Sequence, residues 1–422
     1  MKRATLSLLL GLACAGCGSK DDADDGPAAD TDTDTDTDTD ADTDTDADSD
    51  ADTDVDADTD ADTDTDTGPD TGSDTGSTAD RMLTTIEYAD VSNNRGRVLV
   101  EVDVGPETLA FQVTGECATD YRVALEWVED PNGDRVLEWQ DWWYAPYSLT
   151  YAFFGFDPVT AFNWPSRDVD GPLAEGTWTV ALNVHDPRYN PVANEAIDIT
   201  VQTKDDPDVD QGVVGVQILW ADGVDGDPDV VDAVEQAVER WRDLWADHGI
   251  TLEESYVSTT LDPDLGFTYR GSDDVAAIAK PEGWVQLIIG DKIRQEYYTY
   301  GVSAGVPGTI QQTRSTYVVL SWLVHAGIDG VFDDDDIQLM AGTMAHEVGH
   351  YMGLFHPVEG GFEEWDALDD TVDCTSRRDC ENDLGDNLMY PYSICDNQGV
   401  CVVAEQMTED QVGVKQRYLG TL

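Results

Sequence analysis

Between residues 82 and 203 the apolar positions fall on every second residue, in short runs rich in β-branched and aromatic side chains. The runs are "RVLVEVDV" (97–104), "TLAFQVTG" (108–115), "YRVALEWVED" (121–130), "GTWTVALNVHD" (176–186) and "EAIDITVQT" (195–203). Such alternation buries one face of a strand, and the Gly, Pro, Asn and Asp between runs mark turns. "DPNGDR" (130–135) carries an Asn-Gly hairpin signal. The pattern predicts an all-β module, a sandwich, over 81–205.

The texture changes after the polar, proline-containing stretch "KDDPDVDQG" (204–212). "VVGVQILW" (213–220) is a continuous apolar run, as in a strand buried on both faces. Val231, Val234, Val238, Trp241, Leu244 and Trp245 then recur at three- and four-residue spacings, which predicts an amphipathic helix over 230–247 ending near Gly249. "WVQLIIGD" (284–291) and "STYVVLSWLV" (315–324) are further strand candidates, and a second helix carries clustered histidines. Strand, helix, strands and helix describe an α/β (α+β) unit over 212–422. The chain is therefore read as multidomain.

Composition changes the picture mainly at the N-terminus. The formal charge of the 422 residues is -67, and 26 acidic but no basic residues lie between Asp21 and Asp80. From Asp30 to Thr67 aspartate takes every second position, mostly alternating with Thr. Like charges with almost no apolar surface cannot offset ordering entropy, so 18–80 is expected to be a disordered acidic linker that acts as a stalk. A calcium-binding repeat is the competing reading, but a strict two-residue period lacks the glycine-containing loops that wrap the ion. The remaining chain is still strongly acidic, which argues against a nucleic-acid partner.

Lys2 and Arg3 precede the short apolar run "LSLLLGLACA", as in an export signal over 1–17. The "CAGC" that ends it resembles a bacterial lipobox, with Cys17 as the lipidated residue and Cys14 the lesser candidate. The resemblance implies an exported, outer-membrane or cell-surface lipoprotein held by an N-terminal lipid anchor. A freely secreted protein is the alternative.

The chemistry concentrates in "HEVGHYMGLFHP", His346 to Pro357, which holds three of the six histidines. At 100° per residue, His346 and His350 stand one turn apart on one helix face, where both imidazoles can reach one ion, with Glu347 beside that face. Zinc favours nitrogen ligands, and a catalytic zinc keeps one position open for water. A carboxylate placed as Glu347 is can take that water's proton and deliver it to a leaving amine. A continuous helix would carry His356 off the shared face. Gly353, able to adopt a left-handed conformation, ends the helix, and Pro357 discourages its resumption, so His356 returns as third ligand.

These residues match the pattern H-E-x-x-H-x-x-G-x-x-H of the metzincin zinc peptidases at every defined position. The resemblance implies a metzincin catalytic domain, one catalytic zinc, a protein or peptide substrate and a Met-turn beneath the metal, supplied here by Met389 in "DNLMYP". "DDTVDC", "NLMYP" and "EQMTEDQVGVKQRYL" look like the pappalysin branch. Relatives there place a tyrosine two residues after the methionine, near the zinc. Here Tyr390 follows Met389 directly and Tyr392 comes three later, which leaves both as candidates for oxyanion stabilisation.

Cys374, Cys380, Cys395 and Cys401 are an even number in an exported chain and favour two disulfides. The family's order pairs Cys374 with Cys395 and Cys380 with Cys401; other connectivities and a zinc-binding cysteine cluster are the alternatives. Cys117 is left over, as a buried thiol or a thiolate cap on a latent metal. Among acidic clusters, Asp329 to Asp336 is equally a calcium site or solvated surface, whereas Asp366, Asp369, Asp370 and Asp373 are expected to offer calcium ligands, as pappalysin relatives do near the Met-turn. The Trp-rich "EWQDWWYAPY" (138–147) reads as core and hairpin packing, and as a ligand platform in the alternative account of the chain as a surface adhesin with an incidental peptidase domain.

Overall fold

A computed structural model describes residues 83–418 except Tyr144, Phe156, Ser393, Val403 and the segments 206–211, 267–270, 294–298, 328–329 and 396–400. The export signal with Cys17, the linker 18–80 and most of the boundary 204–212 lie outside the described residues.

The N-terminal part is built from β1 (Leu83–Ser92), β2 (Arg97–Val104), β3 (Thr108–Cys117), β4 (Arg122–Glu129), β5 (Arg135–Glu138), the helical turn α1 (Trp139–Trp142), β6 (Tyr147–Ser148), β7 (Val159–Trp164), β8 (Gly176–His185) and β9 (Ala196–Asp205). Two antiparallel four-stranded sheets form, ordered β1-β9-β3-β7 and β2-β8-β4-β5. Alternation is literal in β2, where every second residue is buried. Val98, Val100, Val102 and Val104 enter one core with Phe111, Val113, Leu182 and Val201, each buried side chain contributing roughly 1.5–3 kcal/mol. The Asn-Gly turn joins β4 to β5, with Gly133 at φ 86° and its amide donating to Asp130 O. Trp139 and Trp142 pack on this core. His185 is buried at the end of β8.

The remainder comprises β10 (Gly212–Trp220), α2 (Pro228–Ala246), β11 (Ile250–Ser258), α3 (Asp273–Ala276), β12 (Val285–Gly290), β13 (Gly301–Ser303), β14 (Val318–Ser321), α4 (Trp322–His325), α5 (Asp334–Tyr351), β15 (Trp365–Asp366), α6 (Arg377–Leu384), β16 (Ile394–Cys395), β17 (Cys401–Val402) and α7 (Glu409–Arg417). Five strands order as β11-β10-β12-β14-β13, parallel except for the edge strand β13. Helix α2 starts at the cap Asp227, whose side chain accepts from Asp229 N, with Pro228 next. It buries Val230, Val234, Val238, Trp241 and Trp245 along one stripe and packs against α5.

One strand expectation is corrected. "STYVVLSWLV" runs as strand only to Ser321, whose hydroxyl accepts from Val324 N and caps α4. A polar cap inside an apolar run turned a strand into a helix start.

Candidate metal centre

Helix α5 begins in the acidic cluster. Asp333 accepts from the amides of Asp335 and Asp336, and the Asp336 side chain accepts from Asp333 N. This capping box also places carboxylates at the positive end of the helix, so the cluster serves the helix start. About five turns of helix follow to its C-terminal end, where Gly353 takes φ 108°. Its amide donates to His350 O and that of Leu354 to Gly349 O, at 2.9 and 3.0 Å, the paired bonds of a glycine-terminated helix. The chain thus turns where the sequence places the turn, and His356 comes back to the helix.

The three imidazoles converge. His350 Nε2 lies 3.1 Å from His356 Nε2, which lies 3.3 Å from His346 Nε2. Each Nδ1 faces an acceptor: Leu388 O for His346 at 2.7 Å, Leu354 O for His350 at 2.6 Å, and Glu359 Oε2 for His356 at 3.1 Å. A carbonyl can only accept, so Nδ1 carries the hydrogen and Nε2 keeps a lone pair. Burial, with the neighbouring His356, pushes His346 down to about 3 and His350 well below the usual range. Burial also opposes protonation of His356, but the Glu359 carboxylate outweighs it and raises that group.

Three lone pairs at this separation repel unless a cation lies among them. Tetrahedral zinc with Zn–N bonds of roughly 2.0–2.1 Å sets its nitrogens about 3.3 Å apart, so the donor set fits that ion. Among the described residues this triad is the one cluster of His, Cys and carboxylates drawn close enough to hold a metal.

Glu347 is buried and close enough for its charge to act on His356. Edge strand β13 lies against it: a Cβ on Gly301 would stand 2.5 Å from Glu347 Cγ. Met389 is fully buried, and a Cβ on Gly349 would stand 2.9 Å from its Sδ, so the methionine sits under the helix between the two helical histidines. Its turn is held by Asn387, whose Oδ1 accepts from Met389 N and whose Nδ2 donates to the buried Gln411 of α7.

Other expected site residues are placed elsewhere. Asp366 is buried, accepting from Leu368 N and the Thr371 hydroxyl; Asp370 accepts from Asp410 N and Asp373 from the Tyr147 hydroxyl, while the Asp369 amide donates to Asp410. The carboxylates of Asp366, Asp370 and Asp373 accept from separate partners, and among the described residues these aspartates do not form a cluster close enough to hold a metal. Tyr390 is buried in a satellite core with Val358, Leu384 and the disulfide, and Tyr392 donates to Gly360 O at 3.2 Å.

The disulfide corrects the family pairing: Cys374 is bonded to Cys380, with Cα atoms 5.2 Å apart. Helix α6 starts right after its cap Ser376 and brings Cys380 back beside Cys374. Cys395 and Cys401 are backbone partners across β16 and β17, and their side chains lie outside those described. Cys117 is a buried free thiol, pushed up to about 12 by burial.

Glu359, Gly301, Gly349 and Gln411 stand at the site without belonging to the histidine motif's ligand or base positions. A carboxylate three residues after the third histidine is a local signal for Glu359. The others depend on what a distant segment brings to the helix.

No protein-family model and no curated relative matches the sequence. Among solved structures the chain is similar to metalloproteinase-II from Bacteroides fragilis, at 11% identity and a TM-score of 0.31, over 52% of this chain and 62% of that one. It is also similar to a Bacillus subtilis protein, at 12% identity and a TM-score of 0.15, over 50% and 56%. The chain spans less than two thirds of either neighbour's length. Both scores are too low to bear on the site, whose chemistry follows from its own residues.

Proposed function

We propose that the protein is a zinc-dependent endopeptidase of the metzincin type, acting on proteins outside the cell, with Cys17 as its lipid anchor. The observation that carries the reading is the convergence of three Nε2 atoms, each ring oriented through Nδ1, beside a buried glutamate. His346, His350 and His356 would hold the ion. Bound there, zinc supplies Lewis acidity and lowers the pKa of water toward about 7.

The chain's own residues do the rest. Glu347 receives the proton of the attacking water and passes it to the amine of the departing peptide. Helix α5 fixes that carboxylate, and Gly301 leaves it room. Strand β13 is the sheet edge over α5, so an extended peptide added to it would run past Glu347 with its backbone amides and carbonyls paired. Leu388, Leu354 and Glu359 keep the imidazoles in the tautomer that presents Nε2.

The test is Glu347→Gln, purified with zinc bound and assayed on unfolded casein. Loss of the general base predicts a fall of about 10²–10⁴-fold. Cleavage at the wild-type rate would remove Glu347 from the mechanism.

A further inference from the structure

Two ligands of the triad stand on a long helix, but the third stands in a loop. Helix α5 holds His346 and His350 through its own backbone ladder. His356 has no such support, because the chain from Gly353 to Gly361 forms neither helix nor named strand. Its stiffness must come from what packs on it.

The chain between β5 and β7 supplies that packing on both sides of the ligand. Before it, the Tyr151 ring meets the buried Phe355 ring edge to face, centroids 5.0 Å apart, while Tyr151 N donates to Val306 O at 2.9 Å. After it, the chain from Val358 to Trp365 closes as a hairpin, with a bridge between these two residues and Glu359 N donating to Glu364 O. The base of this hairpin, β15, pairs in parallel with β6, which lies between β5 and β7 in the chain and outside the two sandwich sheets, Tyr147 opposite Trp365 and Ser148 opposite Asp366. Trp365 N donates to Pro146 O, the Tyr147 and Trp365 rings lie 6.0 Å apart, and the Tyr147 hydroxyl donates to Asp373. The hairpin in turn carries Glu359, whose carboxylate faces His356 Nδ1.

We propose that the segment 147–151 is a positioning element of the metal centre, holding Phe355 on one side and the Glu359 hairpin on the other so that His356 is set as third ligand. The Trp-rich region beside it then acts as an internal brace. Without the brace, the loop's ordering would fall on metal binding, and outer-shell support of this kind is worth about 10–100-fold in affinity. The inference rests on the reading that the triad holds zinc.

The test measures zinc affinity of the full chain by chelator competition, with the visible spectrum of the cobalt-substituted protein reporting ligand geometry. Tyr151→Leu removes the ring from Phe355 and should weaken zinc about tenfold and alter the cobalt spectrum; Tyr151→Phe keeps the ring and should restore both to within about twofold. Val180→Ala, fully buried in the sandwich core, should lower stability and leave affinity and spectrum unchanged. Should Tyr151→Leu not fold, Tyr147→Ala, at a 39% exposed residue, serves the same purpose with a severalfold loss. Wild-type affinity in the Tyr151 and Tyr147 variants, or equal weakening by Val180→Ala, overturns the proposal. If zinc is held and the variants weaken it while wild type cleaves no protein, the peptidase reading fails and the positioning stands. If wild type holds no zinc, both fall.

Discussion

Gly301→Ala is the smallest change that should silence the site while leaving the fold and the metal intact. Gly301 is not among the residues with positive φ, so its backbone accepts alanine. The added Cβ would stand 2.5 Å from Glu347 Cγ and 3.1 Å from Cδ and Oε1, where ordinary contact begins near 3.4 Å. Either the glutamate or strand β13 must therefore give way by about 0.9 Å. Glu347 is 2% exposed and contact is at Cγ rather than at the flexible end, so displacement carries the carboxylate with it. A misplacement of about 1 Å at a reacting group costs on the order of 100-fold in rate. The assay is casein or peptide cleavage with zinc content and thermal unfolding measured in parallel. The expected result is a loss in kcat of that size with zinc stoichiometry and melting temperature close to wild type. A rate within twofold of wild type would show that the carboxylate's position against β13 does not matter to turnover.

Two further outcomes follow from the surroundings of the site. Burial raises the Asp366 carboxyl from 3.8 to about 7, against the Thr371 hydroxyl and the Leu368 amide, which pull it down. The folded protein thus holds that proton more tightly than the unfolded chain, so its contribution is fully present below about pH 4 and lost as pH rises through about 7. Asp366→Asn should change stability little at pH 4 and raise it by up to about 4 kcal/mol at pH 8, read by denaturant unfolding; a difference that does not vary with pH would contradict the assignment. Digestion without reduction should yield a cross-link between Cys374 and Cys380, and Cys374→Ala should cost about 2 kcal/mol by loop entropy; a cross-link from Cys374 to Cys395 would restore the family pairing.

The parts that could be read in the chain are those with a local physical cause. β2, β4 and α2 follow from periods of two and 3.6, and the helix end at Gly353 follows from the conformation only glycine takes easily. The spacing places at Gly353 the turn that lets His356 return toward His346 and His350. What escaped depends on tertiary partners. β1 and β11 carry exposed and half-buried residues on much of their length, so their alternation is weak and their pairing is set by β9 and β10. The Cys374–Cys380 bond reflects the start of α6 at Ser376, and the hydrogen-bond partners of Asp366, Asp370 and Asp373 are set by segments that no local spacing indicates. Gly301 gives no signal at all until β13 is laid against Glu347.

The most direct measurement is proteolysis by the purified full chain, loaded with one equivalent of zinc, on an unfolded protein before and after chelation and again after zinc is returned. Cleavage should disappear with the metal, return with it, and be absent when any one of His346, His350 or His356 is replaced by alanine. Cleavage that persists in the chelated protein or in the triad variants, or a zinc-loaded wild type that cuts nothing, would contradict the zinc-peptidase reading.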